Sequence, residues 1–458
     1  MEKKDISGLD GILGEWWLPE KTDDIIQGVL HLTEKGKIEL RSIQRFDCSG
    51  LDFCGENYPV VNGRLSTGPK VTLINAYRNS YFHAPGYQED HYAPKAVVIG
   101  QHVDTWDFLV KAIEADFDRV SDWFGINPFQ ISYPNDHTKM AVTCEVQHFP
   151  AITVGEKSIA LRYNQRMSHE KHSMSIEYHV RAKVEFPDRI RITDAIDELQ
   201  KLSDFFTLCM GTKCDYDNIS FTYDENDQNY LLMNRSENDA APERKHLPPF
   251  LISYSDIGPL LSHCLESWDQ RHAEIAPIID YFVEAHDTSL HHSTVMTFLK
   301  LAQALESYSR KTWKESAEPQ DAYEAKVERI LARFDDLDEE RQMLSEMLKR
   351  PDANEPSNNQ RFNSMLKRTK IYLGISSSKS VGKLGYRVVT TRNYYTYFNE
   401  DLKSRIYSNI DLYYVNSLLR EMLRILIMQA LDIPDETIQN AMNKCGDIHR
   451  ACQALGLH

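Results

Sequence analysis

The chain has 458 residues, more than one ordinary core accommodates, so two or three domains are expected. Hydrophobic residues make up 41% and charged residues 26%, an ordinary globular composition. The net charge of -16 excludes broad coating of nucleic acid, which needs a basic face; only a local basic cleft stays open to it.

No run approaches 18 apolar residues, so no membrane-spanning helix is expected. Met1–Asp5 leads into a mixed segment without an apolar signal core, which predicts a cytoplasmic protein. In that reducing compartment Cys48, Cys54, Cys144, Cys209, Cys214, Cys264, Cys445 and Cys452 are expected as free thiols.

Residues 1–245 read as β-rich. Gly28–Leu32 and Lys37–Leu40 flank the polar, Gly-bearing turn Thr33–Gly36, a hairpin signal. Strand patterns continue at Val71–Ile74, Ala96–Ile99, Ala141–Cys144, Ser175–Val180 and Tyr230–Met233. Leu199, Leu202, Phe205 and Phe206 recur at helical spacing, which predicts one helix over Ala195–Cys209. The aromatics Trp16, Trp17 and Tyr77–Phe82 suit either a core or a protein-binding surface.

The polar, Pro-bearing stretch Asn234–Pro249 is the domain boundary candidate, with residues 246–290 as a connector. Beyond it the strand signals stop. Helices are predicted over Thr294–Trp313, Ala322–Arg333, Asp338–Leu348, Asn359–Leu373, Tyr386–Asn399 and Leu412–Leu431. The last is apolar enough to be buried in a bundle or at a subunit interface, and Pro434 stops it. Gly382–Gly385, after Ser376–Ser380, lacks the spacing of a phosphate-binding loop and reads as a plain flexible loop. The fold class is therefore α+β: a β-rich N-terminal domain followed by an all-α bundle.

Within the predicted helix 386–399 stands Thr391-Arg392-Asn393-Tyr394-Tyr395-Thr396-Tyr397-Phe398. Asn393 and Tyr397 are i,i+4 neighbours on one face, and Arg392 borders that face. The plain reading of an Arg followed by aromatics is packing plus a solvated charge. The functional reading is an Arg-Asn-x-x-x-His ribonuclease motif with Tyr397 at the His position.

Two further stretches accompany that motif: Gly14-Glu15-Trp16-Trp17-Leu18-Pro19 with Gly28-Val29-Leu30, and Phe298-Leu299-x3-Gln303-Ala304-Leu305-Glu306-Ser307-Tyr308. Together and in this order they resemble the ApeA family of bacterial anti-phage proteins, over the whole chain. The resemblance implies a HEPN helical bundle over 291–458 behind an ApeA-like sensor or regulatory domain over 1–245. It implies a homodimer through the C-terminal bundle, with two motifs meeting at one cleft. It also implies metal-independent endoribonuclease activity without a cofactor, in which the 2′-hydroxyl attacks the adjacent phosphate. The setting would be abortive infection, with host or phage RNA as substrate, a phage protein as the trigger, and no membrane involved.

Under that resemblance Arg392, Asn393 and Tyr397 are the catalytic candidates. In-line attack needs one proton removed and one delivered, which a His near neutral pH can do. A guanidinium stabilises the charged phosphorane, and Asn orients an oxygen. A phenol with a pKa of about 10 is a poor base at neutral pH, though it can donate. Losing one acid/base group commonly costs about 100- to 10,000-fold, so activity is expected to be impaired. Tyr397 is either natural or an exchange that disarms a toxic enzyme. The competing class is a catalytically inactive HEPN protein that binds a phage protein or a nucleotide.

Cys445, His449, Cys452 and His458 have the residue types of a zinc site, with the first three at i, i+4 and i+7. The spacing is unusual for structural zinc, and core cysteines are the plainer reading. Cys48 and Cys54 could combine with Cys209 and Cys214, although helix-end packing suits Cys209 better. His169, Lys171, His172 and His179, near Arg162 and Arg166, read as a solvated strand face or as an RNA- or ligand-touching patch. His291 and His292 read as a connecting loop.

Overall fold

The structure is a computed structural model. It describes residues 10–32, 36–46, 56–125, 127–133, 139–145, 149–224, 227–234, 249–287, 293–313, 316–334, 337–350, 352–375 and 378–457. The turn residues 33–35, Cys48 and Cys54, most of the 234–249 boundary, His291 and His292, and His458, each given an expectation above, lie outside those residues. The chain divides into two compact units, Met1–Phe206 with Cys214–Pro248, and Thr207–Lys213 with Pro249–His458.

The first unit is built on antiparallel strands. β1 (Ile12–Leu18), β2 (Lys21–Leu32), β3 (Ile38–Ser42), β4 (Asn57–Leu65), β5 (Lys70–Ala84) and β6 (Tyr87–Ala93) close into a ring. Pairing runs β4 to β5, β5 to β6, β6 to β3, β3 to β2, β2 to β1 and β1 back to β4. Closure removes the exposed strand edges that an open sheet would present. β5 makes it possible. One edge of β5 pairs with β4; the other pairs with β7 (Ala96–Ile99) over Val71–Ile74 and with β6 from Tyr77 onward, through a register shift between Arg78 and Ser80.

Trp16 lies fully buried among Leu30, Leu40, Val61, Leu65 and Val71, and its Nε1 donates to the Gly28 carbonyl at 3.1 Å. Gly63 makes room for it, since a Cβ there would sit 2.3 Å from the indole. Trp16 is thus core, and the surface reading of that residue is corrected. Tyr77, Tyr81 and Phe82, by contrast, are exposed.

The strand order continues from β7 through β15 (Asn229–Met233), β14 (Tyr216–Thr222), β8 (Leu109–Phe117), β13 (Ser173–Arg191) and β12 (Lys157–Glu170) to β11 (Ile152–Val154). β9 (Phe129–Ser132) and β10 (Ala141–Cys144) form a separate pair. The short helix α1 (Val120–Phe124) supplies Trp123, and α2 (Ile192–Met210) supplies Phe206; their rings meet at 5.4 Å beside Phe117. α2 buries Leu199, Leu202, Phe205 and Phe206, the residues whose spacing predicted it.

The second unit is helical: α3 (Tyr254–Ile257), α4 (Leu261–Glu284), α5 (Thr294–Thr312), α6 (Gln320–Leu331), α7 (Asp338–Leu348), α8 (Asn358–Thr369), α9 (Ser378–Tyr397), α10 (Asn409–Ala430), α11 (Asp435–Lys444) and α12 (Gly446–Ala454). The segment read as a connector carries α4, which bends at Ile275 just before Pro277.

Ser408 starts α10 with a capping box, its hydroxyl accepting from the Asp411 N–H at 3.1 Å. Leu418, Leu419, Met422, Leu423, Ile425, Leu426 and Ile427 of α10 are all buried, packed among α4, α5, α8 and α12. Each such side chain contributes about 1.5–3 kcal/mol when fully buried. Its apolar stripe is therefore used inside the bundle. Arg424 is buried there too, bonded to Glu421 at 2.6 Å and to His286 and the Leu208 carbonyl.

α9 begins at Ser378, well before the predicted Tyr386, so Gly382–Gly385 is helical and the loop reading is corrected. The reason is close packing against α8. A Cβ on Gly385 would lie 2.4 Å from the Asn363 Oδ1 of α8, so a glycine that looks like a breaker lets two helices approach.

Candidate active site

The three motif residues lie in the last turns of α9, which packs on α5 and α8. Thr391 anchors this end. It is fully buried, donates to the Arg387 carbonyl at 2.7 Å and accepts from the Tyr407 N–H at 3.1 Å, which ties the chain returning toward α10 to α9. Arg387 lies 4.2 Å above the Tyr407 ring and donates to the Ile406 carbonyl at 3.0 Å. Burial pushes the Tyr407 hydroxyl up to about 12, against the lowering effect of Arg387.

Arg392 turns toward α5. Its Nη2 lies 3.3 Å from the Glu306 carboxylate, and its Nη1 donates to Asn393 Oδ1 at 3.3 Å. Glu306 is shared with Arg310 at 3.4 Å, and Arg310 in turn pairs with Glu355, which also holds Arg361 at 2.8 Å. The result is an alternating chain of charges, Arg392–Glu306–Arg310–Glu355–Arg361. Arg392 and Glu306 are 26% and 17% exposed, so the pair is reachable from solvent yet partly shielded.

Asn393 is half-buried and Tyr397 is 71% exposed. α9 ends at Tyr397 and is followed by Phe398, a non-glycine residue in the left-handed region with φ 50, 69% exposed, its N–H bonded to the Tyr394 carbonyl. Glycine is the usual residue at that position, and an aromatic there stores about 1–2 kcal/mol of backbone strain. Tyr394 stacks edge-on with Tyr395 at 5.1 Å and with Phe398 at 6.3 Å. Arg405 donates to the Tyr386 hydroxyl at 3.3 Å, a bond that lowers the Tyr386 hydroxyl below its usual range.

One signal escaped the reading of the sequence. Between Glu355 and Glu400 there is no carboxylate, while Arg361, Lys367, Arg368, Lys370, Lys379, Lys383, Arg387 and Arg392 supply eight cations. In a chain of net charge -16 this α8–α9 stretch is locally basic, although Arg361 is buried against Glu355 and Arg387 and Arg392 face Asp411 and Glu306. Counting charge by segment instead of over the chain would have found it.

The other candidates stay apart. Cys445 caps α11 and α12 in an extended conformation rather than lying within one helix, so the i, i+4, i+7 face is corrected. The Cys452 thiol faces the Leu373 carbonyl at 3.2 Å, and the exposed His449 lies 3.4 Å from the Asn443 carbonyl. Burial pushes the Cys445 and Cys452 thiols up to about 11. Among the described residues no three potential metal ligands come together. Cys209 is buried at the end of α2 and Cys214 lies just beyond that helix, also buried. His169, Lys171 and His172 are exposed at the tip of the β12–β13 hairpin, and His179 faces Glu177 at 3.6 Å, the arrangement of a solvated strand face.

Two family profiles match this chain. The profile described as ApeA N-terminal domain 1 covers residues 11–268, and the one described as Apea-like HEPN covers residues 299–437. The chain belongs to the ApeA family. The HEPN match runs from within α5 into α11, so Glu306, Arg392, Asn393 and Tyr397 all fall inside it. A HEPN domain suggests an RNase-type defence protein in this ApeA member. No curated protein and no solved structure matches the chain. Among the described residues no helix is long and apolar enough to cross a membrane.

Proposed function

We propose that this ApeA protein is an anti-phage endoribonuclease of the HEPN type, with its chemistry at the C-terminal end of α9. The observation that carries the reading is a solvent-reachable guanidinium, Arg392, next to Asn393 inside the matched HEPN region, in a locally basic stretch of an acidic chain. Arg392 would neutralise the phosphate as the 2′-oxygen attacks, and Asn393 would orient a phosphate oxygen. Residue 397 would deliver or remove a proton. A Tyr there can donate but is a weak base, so cleavage by this chain would be slow. No metal takes part in this chemistry.

Two copies would bring their α9 ends to one cleft, and a strictly monomeric protein would remove that shared site. Because the apolar residues of α10 from Leu418 to Ile427 are buried in the bundle, this pairing rests on the family and on the α9 end instead. Residues 1–245 would sense a phage protein and control the bundle over 291–458, with 246–290 between them. The Arg392–Glu306 pair would hold the guanidinium in a resting state.

A second reading follows from Tyr397 itself: a HEPN protein without catalysis that binds a phage protein or a nucleotide. Tyr397→His separates the two. Under the nuclease reading it should raise RNA cleavage in EDTA by about 100- to 10,000-fold, and adding Arg392→Ala should abolish the gain. An inert Tyr397→His protein, with phage components present, would favour the binding module.

A further inference from the structure

We propose that the solvent face of α9 is a track for single-stranded RNA, on which Phe398, next to the proposed proton donor Tyr397, stacks an unpaired base while Lys379 and Lys383 follow the backbone phosphates. The proposal rests on the reading of α9 as the ribonuclease helix and adds how, and in which form, RNA is held there.

Lys379, Lys383, Tyr386, Asn393 and Tyr397 recur at i, i+4, i+7, i+14 and i+18, so they share one face of the helix. Four of the five are exposed, and Asn393 is half-buried. Thr390, on the same face, is covered. From Lys379 to Tyr397 the helix rises about 27 Å, the reach of several nucleotides. Among the described residues neither lysine has a carboxylate partner, and Arg405, bonded to Tyr386, has none either. Lys403 lies beside Glu400 at 3.0 Å, so it adds little free charge. Lys379 and Lys383 make α9 cationic ahead of Glu400 and Asp401, which lie beyond its aromatic end, and on a chain of net charge -16 such a helix fits a polyanion better than it fits a second acidic copy.

The aromatic end selects the form of the polyanion. Tyr397 and Phe398 are the two most exposed aromatics of this unit, at 71% and 69%, and Tyr394 packs against Phe398 from behind. Two solvent-facing rings at a helix end are an unfavourable way to finish a helix in water. Phe398 is held out, moreover, in a left-handed conformation that glycine would adopt without strain. Its ring offers a face to a base that is splayed out of a helix. An A-form duplex keeps its base faces stacked and hidden, so the partner is a single strand or a loop.

The test is equilibrium binding of the full-length protein to a labelled 12-nucleotide single-stranded RNA and to its duplex, read by fluorescence anisotropy across a salt series. The single strand should bind tighter than the duplex. Phe398→Gly should weaken single-strand binding by roughly 5- to 150-fold, the range for losing one stacked base, with the melting temperature unchanged or raised. Lys379→Gln with Lys383→Gln should weaken both forms and flatten the log–log salt slope for the single strand by about 1.4.

The proposal is overturned if the duplex binds as well as the single strand, or if Phe398→Gly leaves binding untouched. Either result leaves RNA cleavage by the Tyr397→His protein free to stand, so the two readings fail separately. If no RNA binds and the lysine variants instead change the sedimentation of the protein, this side of α9 is a protein contact face and the proposal falls.

Discussion

Replacing Glu306 by Gln should release Arg392 and tighten RNA binding. The two side chains approach to 3.3 Å, and Glu306 also serves Arg310 at 3.4 Å. At a charge separation near 4 Å the attraction is about 1 kcal/mol in water and about 4 kcal/mol at an effective dielectric of 20. Both groups are partly exposed, one guanidinium shares the carboxylate with another, and ordering two long side chains opposes the pair. The net value therefore falls at about 1 kcal/mol. A phosphate that competes for Arg392 must overcome that amount, so removing the charge should raise affinity by about fivefold.

Gln keeps the size of the side chain and an oxygen that can still accept from Arg392, so the fold should be preserved. The assay is binding of a short single-stranded RNA at 50 and 200 mM salt, in a double-mutant cycle with Arg392→Ala. The gain should appear in Glu306→Gln alone and vanish once Arg392 is gone. A gain that persists without Arg392 would mean that Glu306 acts as a general repulsive charge, and no gain at all would mean that the pair does not restrain the guanidinium.

Two further outcomes concern the scaffold. His286 is buried; its Nδ1 donates to the Phe282 carbonyl at 2.7 Å, so its Nε2 is the acceptor for Arg424, and burial together with that cation holds its pKa well below the usual histidine range. The unfolded chain gains a proton here below about pH 6.5 while the folded one does not. Stability from this site is thus complete above that pH and declines by about 1.4 kcal/mol per unit as the pH falls; urea titrations of His286→Gln between pH 5 and 7.5 should show a slope shallower by one proton, and an unchanged slope would refute the assignment. Gly63→Ala should destabilise the first unit by about 1–3 kcal/mol, because the rigid Trp16 ring 2.3 Å away cannot yield, and a melting temperature equal to that of the parent would contradict this packing.

α5 to α10 of the second unit were legible because their apolar residues recur at helical spacing, whereas α3, α4 and α11 were not read. Failures came where one residue type serves two ends. Gly382 and Gly385 read as a loop, yet Gly385 is an α9 residue whose missing side chain lets α8 approach. Residues 246–290 read as a connector, yet they carry α4, which accommodates Pro277 just after a bend at Ile275. The closure of the strand ring could not be read from local pattern, because it depends on the non-neighbouring pairs β1–β4 and β3–β6 and on β5 dividing one edge between β6 and β7. At the candidate site the residue types of the motif were visible, but the partner of Arg392 was not: Glu306 precedes it by 86 residues, and no spacing rule connects them.

The most direct test of the nuclease account uses the Tyr397→His protein in EDTA with two matched RNAs, one all-ribose and one carrying a 2′-deoxy sugar at the mapped cut. If the 2′-hydroxyl is the nucleophile and Arg392 stabilises the phosphorane, the first is cut to leave a 2′,3′-cyclic phosphate and a 5′-hydroxyl, and the second is left intact at that position. Cleavage of the deoxy-substituted RNA at the same bond, or of the all-ribose RNA only when divalent metal is restored, would contradict the account.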